Sequence, residues 1–300
     1  MFTPLLIADT EVIVYRDDLN HPTVSGNKLH KLTPNIAFVK ARDCSTVLSF
    51  GGPYSNHLHA LAWACNEAGL SSIGVVRGEL HESLTPTLKD CQKWGMQLIA
   101  SSREDYRAYQ ESLTGFSQPC LASELNLEPV TQSINCLEQT LVIPEGGSNK
   151  VAIESLANAY RPVFDRDECQ SITHVVCATG TGATLAGLFK AAPKHIEVIG
   201  VQAVAENDAT LKRIQAWLGE DPSSLTIQEG HLGRFAKMPA ALMAFIDTFQ
   251  TQYSVPLDPV YTGKVMLKLT QMIESGYFTN TDKILFMHTG GLQGKRYLQG

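Results

Sequence analysis

No stretch of this 300-residue chain stays apolar for the roughly 18 residues that a membrane-spanning helix needs. The opening MFTPLLIADTEVIVYRDD has no basic segment ahead of an apolar one and no small-residue cleavage site, so neither a membrane partner nor a secretory leader is expected. An excess of basic residues is missing too. Lys and Arg number 24 against 30 Asp and Glu, giving a formal net charge of −6 with both signs scattered. A nucleic acid or an anionic lipid surface would call for a basic stripe, so neither is an expected partner. The seven cysteines (44, 65, 91, 120, 136, 169 and 177) are odd in number and include no CxxC pair. Most sit in apolar surroundings, as in Val175-Val176-Cys177, where a free cysteine behaves as a small hydrophobe. That argues against a disulfide framework and a structural zinc site, and for a reducing, cytoplasmic setting.

What the chain does have is alternation. Hydrophobic residues make up 44% and charged residues 18%, an ordinary globular balance with enough length for two domains. Short apolar runs read as strands at 11–15, 46–50, 72–77, 96–100, 140–144, 172–178, 197–204 and 283–288. Helical patterns lie between them. In 57–69, Leu58, Leu61, Ala62 and Cys65 share one face, and 263–276 behaves similarly. Strands alternating with helices imply crossover units and an α/β fold: two open, mostly parallel sheets with helices on both faces. The expected division is 1–35 plus 144–300 as the larger domain and 36–143 as the smaller. Pro144-Glu145-Gly146-Gly147 would be the crossing point, with Ser148 as the cap of the next helix. The polar segment 101–139 has too little periodicity to assign.

In open α/β sheets ligands bind beyond the carboxyl ends of strands, so the informative places are strands that run into glycines and then a helix. TVLSF leads into GGPYSNH (51–57), ITHVVCA into TGTGAT (179–184), and KILFMH into TGG (289–291). The second is the strongest anion signal. Gly180 and Gly182 allow close backbone approach, Thr179, Thr181 and Thr184 add hydroxyls, and a helix begins directly after, so amides and the helix dipole could cradle a phosphate. Leu185 stands where a dinucleotide fingerprint wants its third glycine, and no Gly-Lys-Ser/Thr closes a P-loop. A tight turn with no ligand is the plain alternative. At the first junction, Ser55, Asn56 and His57 start a helix and suit a carboxylate, although Ser55 or Asn56 could be only a cap. In VSGNKLHKL (24–32), Lys28 follows a glycine and an asparagine at the start of a helical pattern. A phosphate cradle, a carboxylate-binding helix start and a lysine on a glycine-flanked turn are the parts needed to hold pyridoxal 5'-phosphate and a small amino-acid substrate.

Taken in order along the chain, these motifs resemble the fold-type II (tryptophan synthase β-like) pyridoxal-phosphate enzymes. Within them the match is to the group of D-cysteine desulfhydrases and 1-aminocyclopropane-1-carboxylate deaminases. SGNKLHKL (25–32) is similar to the family's Gly-Asn-Lys-x-x-Lys-Leu, and GGPYSNH to its Gly-Gly-x-x-Ser-Asn-His/Gln. The 179–184 cradle is similar to its phosphate loop, DPVYTGK (258–264) to its Asp-Pro-Val-Tyr-x-Gly-Lys, and HTGG (288–291) to its C-terminal glycine turn. The resemblance implies a cofactor site between two domains and a cytoplasmic homodimer acting as a lyase or deaminase. By the same resemblance Lys28, not Lys31, is the Schiff-base lysine and proton shuttle. Asn56 bonds the cofactor's ring hydroxyl, and Ser55 with the amides through His57 holds the substrate carboxylate. Residues 179–184, Ala183 included, take the phosphate, and Tyr261 faces the ring. Asp258 and Lys264 are read as structural.

One departure bears on the activity. Deaminases of the family place a glutamate after the tyrosine, against the pyridine nitrogen, where this chain has Thr262; Thr289 can offer a hydroxyl from the other side. A neutral partner leaves a weaker electron sink, which suffices to expel a good β leaving group but suits opening of a cyclopropane less. The expectation is therefore α,β-elimination of the D-cysteine desulfhydrase kind, giving pyruvate and ammonia. The alternatives are 1-aminocyclopropane-1-carboxylate deaminase activity, β-replacement or racemisation on the same cofactor, a relative that binds the cofactor without turnover, and a non-catalytic phosphate-ligand-binding protein.

Overall fold

The computed structural model describes residues 1–300 except 81–82, 114–116, 204–208, 220–221, 223, 234–237 and 300, and except the side chains of 294 and 297–299. It divides into two compact units, one of Met1–Asn27 with Leu156–Lys295 and one of Lys28–Ser155 with Arg296–Gly300.

The first unit holds strands β1 (Phe2–Ile7) and β2 (Thr10–Tyr15) and the smaller unit holds helix α1 (Asn27–Ala41), which begins at the last residue of the first. The smaller unit continues with β3 (Thr46–Gly51), α2 (Asn56–Ala68), β4 (Ser71–Arg77), α3 (Pro86–Lys93), β5 (Met96–Ser101), α4 (Arg103–Ser112), β6 (Cys120–Leu121) and β7 (Thr140–Val142). Helix α5 (Lys150–Phe164) leads back to the first unit. There follow β8 (His174–Thr179), α6 (Ala183–Ala191), β9 (Glu197–Gln202), α7 (Ala209–Leu218), β10 (Leu225–Glu229), α8 (Ala240–Tyr253), α9 (Thr262–Glu274) and β11 (Lys283–Met287).

The larger unit's sheet runs β1-β2-β11-β8-β9-β10, with β1 antiparallel and every other pairing parallel. Its central strands are buried on both faces, which is why they read as unbroken apolar runs such as His174–Thr179. Val12, Val14, Val176, Ile199, Ile284 and Phe286 pack with Leu242, Ile246 and Phe249 of α8 and Val265, Met266 and Leu269 of α9 in one core. The smaller unit's sheet runs β5-β4-β3-β7-β6, again parallel except for β6 at the edge. Leu48, Phe50, Ile73, Val75 and Val142 form its core with Tyr106 and Tyr109 of α4.

All eight expected strands are present, and Leu58, Leu61, Ala62 and Cys65 lie together in the buried face of α2. The last residue of the 197–204 expectation, Val204, lies outside the described residues. The added strands β1, β6 and β10 are all edge strands, whose half-buried patterns carry less apolar signal. The described residues of segment 101–139 include α4, β6 and short 3₁₀ turns, and they contribute Tyr106, Tyr109, Leu125, Leu127 and Val130 to the core. Where the sequence reading divided the chain near 35 and 144, α1 and the turn after β7 both fall in the smaller unit. Two bonds hold them there: Lys31 Nζ donates to the Gly146 carbonyl at 3.2 Å, and Asn149 Nδ2 donates to Asn35 Oδ1 at 2.7 Å. The cap of α5 is Asn149 rather than Ser148, its Oδ1 accepting from Ala152 N at 2.9 Å. All seven cysteines are free, and among the described residues no helix is long and apolar enough to cross a membrane.

Candidate active site

In the larger unit three neighbouring parallel strands, β2, β11 and β8, deliver their carboxyl-end loops side by side. After β8 comes the 179–184 turn. Gly182 caps α6 at φ +96°, a left-handed value that glycine adopts without strain, and a Cβ there would press on Thr210 and Ile214. The N-cap residue Gly182 has no side chain with which to bond the first-turn amides of α6. Thr179 is buried, and its hydroxyl makes no hydrogen bond among the described residues. An unfilled buried hydroxyl beside an uncapped helix start is a donor set with its acceptor missing, and the phosphate of pyridoxal phosphate fits it.

Two other loops converge on this turn. The Asn27 side-chain amide donates to Thr184 Oγ1 at 2.8 Å, and a Cβ on Gly26 would run into the carbonyl oxygen of Thr289. Gly26 itself is held by Asn20, which accepts from its N–H at 2.8 Å and donates to its carbonyl at 3.2 Å. Behind them Arg16 forks onto the buried Asp18 carboxylate with two bonds of 2.8 Å. Tyr160 donates to Asp17 Oδ2 at 2.9 Å, and burial next to that carboxylate holds the phenol well above its usual range. The backbone leading to Lys28 is therefore over-determined.

Tyr261 precedes α9, and its ring edge lies 3.8 Å from where a Cβ on Gly180 would sit, so the ring lies against the cradle glycine. The turn that sets it is built on Asp258. That carboxylate is fully buried and accepts from the amides of Val260, Tyr261 and Thr262 at 2.7–2.8 Å and from the Thr262 hydroxyl at 2.8 Å. Thr262 Oγ1 in turn accepts from Asp258 N at 2.8 Å. Thr262 is thus committed to the Asp258 turn and is no hydroxyl for a pyridine nitrogen, while the Thr289 side chain makes no hydrogen bond among the described residues. Lys264 donates to the Ala203 carbonyl at 3.2 Å, in keeping with a structural role.

In the smaller unit the neighbouring parallel strands β3 and β7 place their carboxyl ends together. Ser55 caps α2, accepting from Leu58 N at 3.2 Å, which leaves the hydroxyl hydrogen free to donate. Gly51 is required beneath it, because a Cβ would approach Ser55 Oγ to 2.5 Å. Asn56 is the half-buried first residue of the helix. The His57 ring turns inward: it is 3% exposed, and Nε2 lies 2.8 Å from Ser49 Oγ. Lys28 is the second residue of α1, half-buried, and burial pulls its amine down to about 8 against the opposing pull of Glu145. Lys31 is 2% exposed and points to Gly146 O and, at 3.5 Å, Ser148 Oγ. The two lysines are set apart: Lys31 is tied down by its acceptors, whereas burial pulls the Lys28 amine below its ordinary value.

The sequence reading had no place for Ser49, Asn27, Asn20 or Glu145. Ser49 was the most detectable of them, as the single polar residue in the run Val47-Leu48-Ser49-Phe50, where it is fully buried.

A family model described as pyridoxal-phosphate dependent enzyme matches residues 3–290. The chain belongs to that family. Relatives in it include a provisionally named 1-aminocyclopropane-1-carboxylate deaminase from Thermotoga maritima, 29% identical over 94% of this chain and 89% of its own length. A D-cysteine desulfhydrase from Salmonella typhi is 26% identical over 94% of this chain and 87% of its own. The crystal structure of a 1-aminocyclopropane-1-carboxylate deaminase homologue shares the fold with a TM-score of 0.79 at 23% identity, covering 100% of this chain and 91% of that one.

Proposed function

We propose that this pyridoxal-phosphate dependent enzyme is a lyase of the D-cysteine desulfhydrase kind, converting a small amino acid with a good β leaving group to an α-keto acid. For D-cysteine the balance is one water consumed and one pyruvate, one ammonia and one hydrogen sulfide released. Pyridoxal phosphate supplies an electron sink that acidifies the α-proton of an amino acid joined to it. The chain's residues do the rest. Thr179, Thr181, Thr184 and the amides of Gly180, Gly182 and Ala183 bind the phosphate. Ser55, Asn56 and the amide of His57, at the positive end of α2, hold the substrate carboxylate, and Asn56 also reaches the cofactor's ring hydroxyl. Lys28 anchors the aldehyde and then takes the α-proton. With an amine near 8, about a tenth to a quarter of it is neutral around pH 7 to 7.5 before any partner acts on it. In this reading Tyr261 hands a proton to the departing group.

The observation that carries the choice of leaving-group chemistry is the closed Asp258–Thr262 turn. It leaves the Thr289 hydroxyl, a neutral partner, for the ring nitrogen, and a neutral partner favours expulsion of thiolate over opening of a cyclopropane. The relatives' names keep 1-aminocyclopropane-1-carboxylate deamination as the second reading. A homodimer in a reducing compartment, with its seven thiols free, completes the proposal.

The test is the visible spectrum of the purified chain with pyridoxal phosphate, before and after D-cysteine, with pyruvate and sulfide assayed together. A band that changes with both products supports the reading. A band that responds only to 1-aminocyclopropane-1-carboxylate moves the enzyme to the second reading, and a chain that forms no band refutes the role of Lys28.

A further inference from the structure

We infer that His57 is a positioning residue for Lys28: Ser49 locks its ring as the Nε2–H tautomer, and the bare Nδ1 is a fixed acceptor for an N–H of the Lys28 amine. The inference deepens the proposed function and rests on Lys28 as its working amine.

The tautomer follows from hydrogen-bond donors alone. The Ile143 carbonyl can only accept, so the 2.6 Å contact from Ser49 Oγ uses the single hydroxyl hydrogen. Ser49 must then accept across its 2.8 Å contact with His57, which puts the hydrogen on Nε2. Nδ1 is buried and has no hydrogen-bond partner among the described residues. A bare acceptor in a protein interior calls for a donor that arrives in some state of the molecule.

The surroundings name the donor. The position above Gly147 that a Cβ would occupy is 3.5 Å from His57 Nδ1 and 3.5 Å from Lys31 Cβ, so the ring meets the lysine-bearing face of α1 at this turn. Lys28 and Lys31 are three residues apart on a helix and share that face. Lys31 already donates to Gly146 O and Ser148 Oγ. Among the described residues the charge that acts on Lys28 is Glu145 from the turn after β7; Lys28 and Lys31 both act on His57, which is held neutral. Burial, reinforced by the charges of Lys28 and Lys31, keeps the imidazole well below its usual range, so it accepts and does not compete for the proton. When Lys28 has taken up a proton, Nδ1 is where its ammonium is received.

Two measurements on the full chain, before any pyridoxal phosphate is added, decide this. Nitrogen NMR of the histidine-labelled protein is expected to show His57 with hydrogen on Nε2 and none on Nδ1; the opposite tautomer overturns the inference. The pH profile of Lys28 acylation, read by peptide mass spectrometry, is expected to turn below the ordinary lysine value in the wild type. Loss of one hydrogen bond to the charged amine in His57→Leu lowers that midpoint by about one pH unit, and His57→Gln, which keeps an acceptor, restores it. An unchanged midpoint in folded His57→Leu overturns the inference. If that variant does not fold, Ser49→Ala takes its place: it frees the tautomer and shifts the midpoint in the same direction, and no shift overturns. Neither readout needs turnover or bound cofactor, so a failure here is distinct from the missing visible band that would refute the proposed function.

Discussion

The Asn27 side-chain amide donates to Thr184 Oγ1 at 2.8 Å, joining the residue before Lys28 to the first turn of the phosphate-cradle helix, 157 positions away. The bond is partly buried and between neutral groups, which sets its worth at about 1 kcal/mol. Asn27→Leu and Thr184→Val are each expected to lower stability in urea by about that amount. Each should also weaken pyridoxal phosphate binding, because both ends of the bond border the cradle. In the double variant the losses should not add, leaving a coupling of about 1 kcal/mol in a double-mutant cycle. Fully additive losses would show that the contact carries no energy.

Thr179 separates binding from stability more cleanly. Its hydroxyl is buried without a partner, so Thr179→Val removes an unsatisfied group and changes the side chain's shape little. The expected result is an unchanged or slightly higher melting temperature with pyridoxal phosphate affinity lower by about tenfold, the loss of one hydrogen bond to a charged group. Equal affinity in an equilibrium titration would remove Thr179 from the phosphate site.

Asp258 makes the opposite case. Its carboxylate takes three amides and one hydroxyl in the turn before α9, so Asp258→Ala leaves all four without their acceptor. A loss of about 2–4 kcal/mol is expected in chemical denaturation. Thr262→Val breaks the turn at one point and should cost about 1–2 kcal/mol while leaving the pH titration of the cofactor's spectrum where it was. A moved titration would return Thr262 to the cofactor ring.

The parallel sheets and the glycine turn before α6 were legible because both are written in local patterns. Apolar runs that lead into glycines mark strands such as β8, and Gly180-Thr181-Gly182 before a helix marks a tight turn with exposed amides. Lys28 drew its proposed role only from motifs read together, since a lysine at a helix start is ordinary by itself. What stayed hidden depends on partners distant in sequence. Ser49 meets Ile143 and His57, and Asn27 meets Thr184, through pairings that only the folded sheets create. The bonding of Thr262 was hidden for a different reason. Its bonds to Asp258 are local, but a threonine four residues after an aspartate gives no sign of which way its hydroxyl turns.

The depressed amine of Lys28 makes a prediction about stability with a definite sign. In the folded chain the amine titrates near 8, and in the unfolded chain near the ordinary lysine value of 10.5. Between those two values the unfolded chain binds more protons, so raising the pH favours the fold. Below pH 8 the lysine is charged in both states, and the full cost of holding an ammonium in a desolvated place is present. That cost is relieved as pH climbs from 8 to 10.5. Lys28 remains half-buried and partly reached by solvent, which reduces the effect to about 1–2 kcal/mol. Lys28→Met keeps the length of the side chain and removes the charge. In the cofactor-free chain this variant should be more stable than wild type by about that amount at pH 7, and the two curves should converge by pH 10.5. Denaturant midpoints across this range decide the matter: parallel curves would mean that the amine is not desolvated, and that its readiness to give up a proton must come from the bound cofactor instead.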